Sequence, residues 1–267
     1  MAQPNIKQII KQEYIKCAKD PVYFMKKYCM IQHPTRGRIQ FNLFPFQEKV
    51  LNLLNKNNRN IILKSRQLGI STLSAGMALW QMIFQKDVNV LVIATKQDTA
   101  KNLVTKVKFM YENLPSWLKL GFIENNKLAL RLKNGSQIKA VSAASDAGRS
   151  EAISLLIIDE AAFIEENRIE EIWGSSQQTL STGGRAIVLS TPNGTGNFFH
   201  RMWVKAEEGT NGFTPIRLPW TVHPERDETW RTKQDDELGP RMAAQECDCD
   251  FTTSGNVVFE SEIMNFI

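Results

Sequence analysis

The chain has 267 residues, 42% hydrophobic and 23% charged, with a net charge of +5. This composition excludes a disordered or fibrous chain and suits a soluble globular protein with a sizeable core, while the mild basic excess permits a phosphate-bearing partner without requiring one. Four cysteines, no apolar leader in MAQPNIKQIIKQEY and no stretch long enough to span a bilayer make the reducing cytoplasm the expected compartment.

Apolar positions at helical spacing (Ile9, Ile10, Tyr14, Ile15) predict a helix within residues 5–30. Pro21 breaks it, and a second short helix is expected around Tyr23–Tyr28. HPTRGR at 33–38 reads as a loop, Phe46–Leu54 as a helix, and NKNNRN at 55–60 as a turn into a strand at Ile61–Leu63. From there strands and helices alternate. Helices are expected at Thr72–Phe84, Asp98–Tyr111, Ile169–Leu180 and Asn197–Glu208, and strands at Val88–Ala94, Ser154–Ile158, Arg185–Ser190 and Thr214–Leu218. Leu128–Val141 reads as a hairpin with Asn134-Gly135 as a type I′ turn. The runs VNVLVIA and SLLII are apolar throughout, as parallel strands buried on both faces are. This βαβ rhythm predicts an α/β fold: a parallel-sheet core with flanking helices and polar groups along the edge where the strands end. The tail DETWRTKQDDELGPRMAAQECDCDF is charged and helical with a break at Gly239-Pro240, and TTSGNVVF reads as a linker running into an edge strand. Cys247-x-Cys249 has no second half of a metal site, and His33, His200 and His223 are the only histidines, so buried or half-exposed thiols are expected.

Five stretches carry chemistry. KSRQLGIS at 64–71 lies between a strand and a helix and meets two of the four fixed positions of G-x-x-x-x-G-K-[ST], namely Gly69 and Ser71. Backbone N–H groups at a helix N-terminus attract phosphate whatever the side chains are, and Lys64 and Arg66 lie near the lysine position taken by Ile70. Alone, the stretch fits a Gly-Ser helix cap equally well. SLLIIDEAAFI at 154–164 ends an apolar strand in adjacent carboxylates. Asp159 suits a Mg²⁺ held with Ser71, and Glu160 suits a base that polarises water. The combination with the loop favours this reading over an acid-decorated helix start. LSTPNGTG at 189–196 ends a later strand in Ser190, Thr191 and Asn193, fit to sense a phosphate or simply to turn the chain. Arg149 lies in a small-residue loop, SAASDAGRSEAIS; it suits a phosphate in the same or a neighbouring subunit, although most single arginines are solvated. In LFPFQEK at 43–49, Phe46 suits stacking on a base and Gln47 the edge of adenine, or both merely open a helix.

In this order the pieces resemble one family, the large terminase subunit, which is the DNA-packaging motor of tailed phages. FPFQ at 44–47 is similar to its adenine motif and KSRQLGIST at 64–72 to its deviant Walker A loop. VIATKQDTAKNL at 92–103 is similar to its helicase-like second motif, LLIIDEAAF at 155–163 to its Walker B motif with catalytic glutamate, and LSTPNG at 189–194 to its coupling motif. AAQECDCDFTTSGNVVF at 243–259 is similar to its exit towards a nuclease domain, so the resemblance spans about residues 40–260.

The resemblance implies a P-loop NTPase fold of the ASCE/RecA-like kind with a short helical C-terminal subdomain. It divides the chain into an N-terminal helical extension (1–40), an ATPase core (41–222), a helical lid or linker (223–254) and the start of a linker to a nuclease domain (255–267). ATP and Mg²⁺ are the implied cofactors. Phe46, Gln47, Lys64, Ser65, Arg66, Gln67, Leu68, Gly69, Ile70, Ser71, Thr72 and Asp159 are the implied nucleotide contacts, with Ser71 and Asp159 on the metal. Glu160 is the implied base, Arg66 and Arg149 the implied catalytic cations, and Ser190, Thr191 and Asn193 the coupling residues. Two departures stand out: Ile70 replaces the usual lysine, and Ser150 follows Arg149 where the family often has glycine. Lys64 or Arg66 is expected to supply the missing charge, with Arg66 preferred for its bidentate fork. Implied partners are double-stranded DNA, a portal protein, a small terminase subunit and further copies in a ring, in the host cytoplasm at the procapsid portal; an isolated module is expected to be monomeric and slow. No nuclease activity is expected from these residues. The competing readings are a superfamily 2 helicase-like ATPase, which lacks its second RecA-like domain here, and a non-hydrolysing nucleotide- or DNA-binding scaffold, against which the retained Asp159 and Glu160 argue.

Overall fold

The computed structural model describes residues 5–143 and 152–252. The chain opens with helices α1 (Ile6–Lys19) and α2 (Pro21–Tyr28), each started by a side-chain cap: Asn5 accepts from the Lys7 amide, and Asp20 from those of Val22 and Tyr23. Strands β1 (Met30–His33) and β2 (Gly37–Gln40) then pair antiparallel, so the stretch expected as a loop is a small hairpin. There follow α3 (Pro45–Lys56), β3 (Arg59–Lys64), α4 (Ile70–Phe84), β4 (Asn89–Ala94) and α5 (Gln97–Glu112). Next come β5 (Phe122–Asn125), β6 (Ala129–Leu132), β7 (Gln137–Ser142), β8 (Leu155–Asp159), α6 (Glu166–Ser181), β9 (Arg185–Ser190), α7 (Phe198–Glu207) and β10 (Thr214–Leu218). Helices α8 (Glu228–Leu238) and α9 (Pro240–Ala243) close the described part, with a π-helical turn at Ala244–Asp248.

Eight strands form one sheet in the order β10-β3-β9-β8-β4-β7-β6-β5. The run from β10 to β7 is parallel, and β6 and β5 extend it antiparallel. The two-residue side-chain period divides each central strand between two cores. Ile62, Val90, Val92, Leu155, Ile157, Ile187 and Leu189 enter the core on one face, which also receives residues of α1 to α5. Ile61, Leu63, Leu91, Ile93, Leu156, Ile158, Ala186 and Val188 enter the other, with residues of α6 and α7. That double burial is why these strands read as unbroken apolar runs. Cys17, Phe24, Met25 and Cys29 belong to the first core, so the N-terminal helices are continuous with the sheet on that face.

Two details differ from expectation. In the β6–β7 hairpin Gly135 has φ +87° while Asn134 is not left-handed, so the turn is not type I′, which needs both central residues at positive φ. The Asn134 side chain instead donates to the carbonyls of Met82 and Gln85, both at 2.8 Å, tying the turn to the end of α4. Strand β5 carries no signal in the sequence pattern: Phe122 and Ile123 are exposed on an edge strand and show no alternation. The linker reading for TTSGNVVF and the proposed cation Arg149 lie outside the described residues, apart from Thr252.

Candidate functional site

Four adjacent parallel strands bring the predicted residues to one rim. β3 ends at Lys64 and runs into the loop 65–69, β9 ends at Ser190, β8 at Asp159, and β4 runs into Thr95. The polar ends thus meet where the carboxyl termini of parallel strands open a crevice.

The loop is built by its own backbone and by its neighbours. Gly69 is left-handed at φ +73° and caps α4; a Cβ there would lie 2.7 Å from Gln47 Nε2. Gln47 is buried at the start of α3. Its Oε1 accepts from the Phe44 amide at 3.0 Å and its Nε2 donates to the Leu68 carbonyl at 2.9 Å. Expected to read adenine, Gln47 is therefore also a strut under the loop. Leu68 and Ile70 are 2% and 1% exposed and belong to the core, so the residue at the lysine position is an apolar anchor for the first turn of α4. Ser71 and Thr72 follow it in that turn, half-buried. Gln67, with φ +59°, is left-handed without being glycine.

The segment after β10 grips the other end of the loop. The Ser65 amide donates to the Leu218 carbonyl and the Arg66 amide to the Glu246 carbonyl, both at 2.8 Å. Arg226 Nη1 donates to Ser65 Oγ at 3.2 Å and to the Arg66 carbonyl at 3.1 Å. Arg66 Nε lies 2.6 Å from Glu246 Oε2, so the preferred substitute for the missing lysine is neutralised by a carboxylate from the π-helical turn. Burial pushes the Glu246 carboxyl up, while Arg66 and Lys64 draw it down. Cys249, left-handed at φ +59°, points its thiol towards the carbonyls of Leu63 and Leu218 at 3.6 and 3.3 Å. All four cysteines are free and buried, and the described residues hold no cluster fit for a His/Cys/Asp/Glu metal site.

At the end of β8, Asp159 is 6% exposed and Glu160 is left-handed at φ +55°. The Glu160 amide donates to Asp159 Oδ1 at 3.0 Å, and Thr95 Oγ1 donates to Glu160 Oε2 at 3.4 Å. The next turn, Ala161–Phe163, is tied to the end of β9. Ala162 N donates to Ser190 Oγ at 3.1 Å, and Asn193 Nδ2 donates to the Ala162 carbonyl at 3.0 Å. Thr191 is buried beside them. Of the four left-handed non-glycine residues among those described, Gln67, Glu160 and Cys249 thus lie on the loop, on the acid pair and on the segment that grips the loop. Such outliers persist only where surrounding structure holds them, and they concentrate at functional sites.

Phe46 does not stand alone. Its ring stacks on that of Phe44, 5.9 Å away and 9° from parallel, and His223 packs against Phe44 at 4.6 Å and Phe46 at 6.0 Å. Burial and the nearby Arg226 lower the His223 pKa, favouring the neutral ring. The site therefore contains Thr95, His223, Arg226 and Glu246, none of which sequence reasoning selected. Arg226 and Glu246 reach the loop, and His223 the Phe44–Phe46 pair, from the far end of the chain, and no local pattern marks such contacts.

A hydroxyl opening a helix, a buried carboxylate on the same rim and a glycine whose Cβ position is already filled are a donor set and cradle that fit a magnesium-bound polyphosphate. Comparison with known proteins identifies the family. Residues 61–266 match the model for the N-terminal part of the terminase large subunit, T4-like-virus type. Among solved structures, the chain is similar to the large terminase ATPase domain of Thermus phage P74-26, with a TM-score of 0.63, 22% identity and coverage of 76% of this chain and 93% of that one. It is also similar to the HK97 bacteriophage large terminase (TM-score 0.65, 14% identity, 93% of this chain and 58% of that one). A third is the large terminase of a thermophilic bacteriophage in complex with ADP (TM-score 0.63, 11% identity, 79% and 54%). The chain thus spans somewhat over half the length of these last two large terminases.

Proposed function

This chain belongs to the large-terminase family, and on that premise we propose that it works as the ATP-hydrolysing module of a DNA-packaging motor, with the reaction divided among the residues of the rim. The observation that carries the reading is the gathering, on the ends of the consecutive strands β3, β9 and β8, of the loop, the Ser190–Asn193 end and the Asp159-Glu160 pair, the last two joined by hydrogen bonds. ATP brings the phosphoryl group to be transferred, and Mg²⁺ neutralises its oxygens. Ser71 and Asp159 are assigned to hold the metal, and the amides of the loop from Gln67 to Thr72 to face the phosphates. Glu160 is the base: its oxygen is oriented by Thr95, and it accepts the proton of the attacking water. Lys64 and Arg66 bring cations to the loop, and Arg149 acts on the phosphates from the same or a neighbouring copy. Phe46, backed by Phe44 and His223, offers a face for the base.

Ser190, Thr191 and Asn193 are the coupling group, because their strand end is bonded to the turn that follows Glu160. Residues 1–40 are assigned as a helical extension, 41–222 as the ATPase core, 223–254 as the lid and 255–267 as the start of a linker. Double-stranded DNA, a portal protein, a small terminase subunit and a ring of copies are the proposed partners, and the host cytoplasm the proposed place of action. No helix among the described residues is long and apolar enough to cross a membrane.

The test is phosphate release from Mg-ATP over a wide range of protein concentration, with Glu160→Ala as the blank. Loss of a general base predicts a fall of about 10²-fold or more, with fluorescent-nucleotide binding retained. A specific rate that climbs with concentration assigns part of the site to a neighbouring copy. Activity at the level of the blank throughout removes the hydrolytic reading.

A further inference from the structure

The loop lacks its lysine, and the cation preferred in its place is already paired. Arg66 carries the Glu246 carboxylate at 2.6 Å. Arg226 is differently placed. Its Nη1 is fixed on Ser65 Oγ and the Arg66 carbonyl, and its guanidinium carbon lies 4.3 Å from the centre of the Trp230 ring. All three anchors orient the group without neutralising it: a hydroxyl and a carbonyl are neutral acceptors, and an aromatic face is a weak one. Among the described residues no carboxylate pairs with Arg226. A guanidinium has five donors, and Nη1 uses only its own share in these contacts. Burial lowers the Arg226 pKa, the sign of a charge held where water compensates it poorly.

We infer that Arg226 is the positive charge that replaces the missing lysine, so that the chain completes its phosphate site from the segment after β10. The assignment rests on the nucleotide reading above. A half-buried charge without a counterion favours an anion beside it, and Arg226 is already fixed to the loop through Ser65 and Arg66. A polyphosphate that settles on the free amides of the loop arrives beside a guanidinium oriented in advance. Arg66, by contrast, has to leave Glu246 first. Ile70 can then serve the core, because the charge that its position normally supplies enters from another part of the chain.

The experiment compares the affinities of fluorescent mant-ATP and mant-AMP for the wild-type chain, Arg226→Gln and Arg226→Lys, with each variant's thermal unfolding recorded without nucleotide. Loss of a charge-assisted contact to the outer phosphates is expected to weaken mant-ATP by about tenfold or more in Arg226→Gln, with mant-AMP within about twofold of wild type. Arg226→Lys, which keeps the charge but not the fork, is expected to lose about threefold to tenfold for mant-ATP alone. If Arg226→Gln does not fold, Arg226→Lys decides by the same comparison. Affinities equal to wild type, or equal losses for both probes, overturn the assignment and leave the nucleotide reading standing. A wild-type chain that binds neither probe overturns both.

Discussion

At the scale of single residues, the site is a set of backbone exceptions with side chains hung on them. Gly69 is the clearest case. It is left-handed, and Gln47 fills the space where a side chain would begin. Gly69→Ala must adopt a conformation costing about 1–2 kcal/mol for an L-residue and displace an amide that is itself bonded to Leu68. We expect a loss of stability of about 2–3 kcal/mol in urea unfolding, combining that strain with one broken hydrogen bond. An unchanged midpoint would mean that the loop relaxes freely and that Gln47 is no strut. Glu160 is the complementary case, a left-handed residue that is not glycine. The strain at Glu160, of order 1–3 kcal/mol, is offset by the bonds around it: its amide on Asp159 and the next turn on Ser190.

At the scale of elements, the N-terminal helices show how a half-buried acid can join two of them. Glu13 of α1 accepts from Tyr23 OH at 2.5 Å, Lys27 Nζ at 2.6 Å and Tyr28 OH at 2.7 Å, all from α2. The Lys27 bond first, then those of the two tyrosines, hold the Glu13 carboxyl at about 2 against an ordinary 4.5. A carboxylate whose pKa is lowered on folding adds stability above its unfolded pKa and loses it as the pH falls through the folded one. The stability gap between wild type and Glu13→Gln should therefore be fully open at neutral pH and close between about 4.5 and 2. Chemical unfolding across that range measures it, and a gap that does not change with pH would remove the clamp.

Much of this element level is legible in the sequence. The break at Pro21, the apolar strands and the helix periods fall within a few residues of the observed ends. The β1–β2 hairpin and β5 are not legible. Short strands on small or edge sheets bury one face poorly, so neither alternation nor an apolar run marks them. In the site, the loop, Asp159-Glu160 and the end of β9 can be read because each is a contiguous run at a strand end. Arg226, Glu246 and His223 cannot, because their meaning lies in which distant backbone or ring they reach.

At the scale of the whole molecule, the sheet gathers its polar ends on one rim, and the segment after β10 returns to close over it. Arg231 makes that return rigid: it meets Asp248 through Nε at 3.0 Å and Nη2 at 2.8 Å and also pairs with Asp235, joining α8 to the π-helical turn. The loop is thus held by strand β3 on one side and by residues from Arg226 to Cys249 on the other. One consequence concerns time rather than space. The Ser65 and Arg66 amides are already bonded to Leu218 and Glu246. Those from Gln67 to Thr72 have no such backbone partner among the described residues. In heavy water without nucleotide, Ser65 and Arg66 should exchange slowly while their neighbours exchange fast. Adding Mg-ATP should slow only the neighbours, so the boundary between the two behaviours, falling between Arg66 and Gln67, would mark where the scaffold ends and the anion cradle begins.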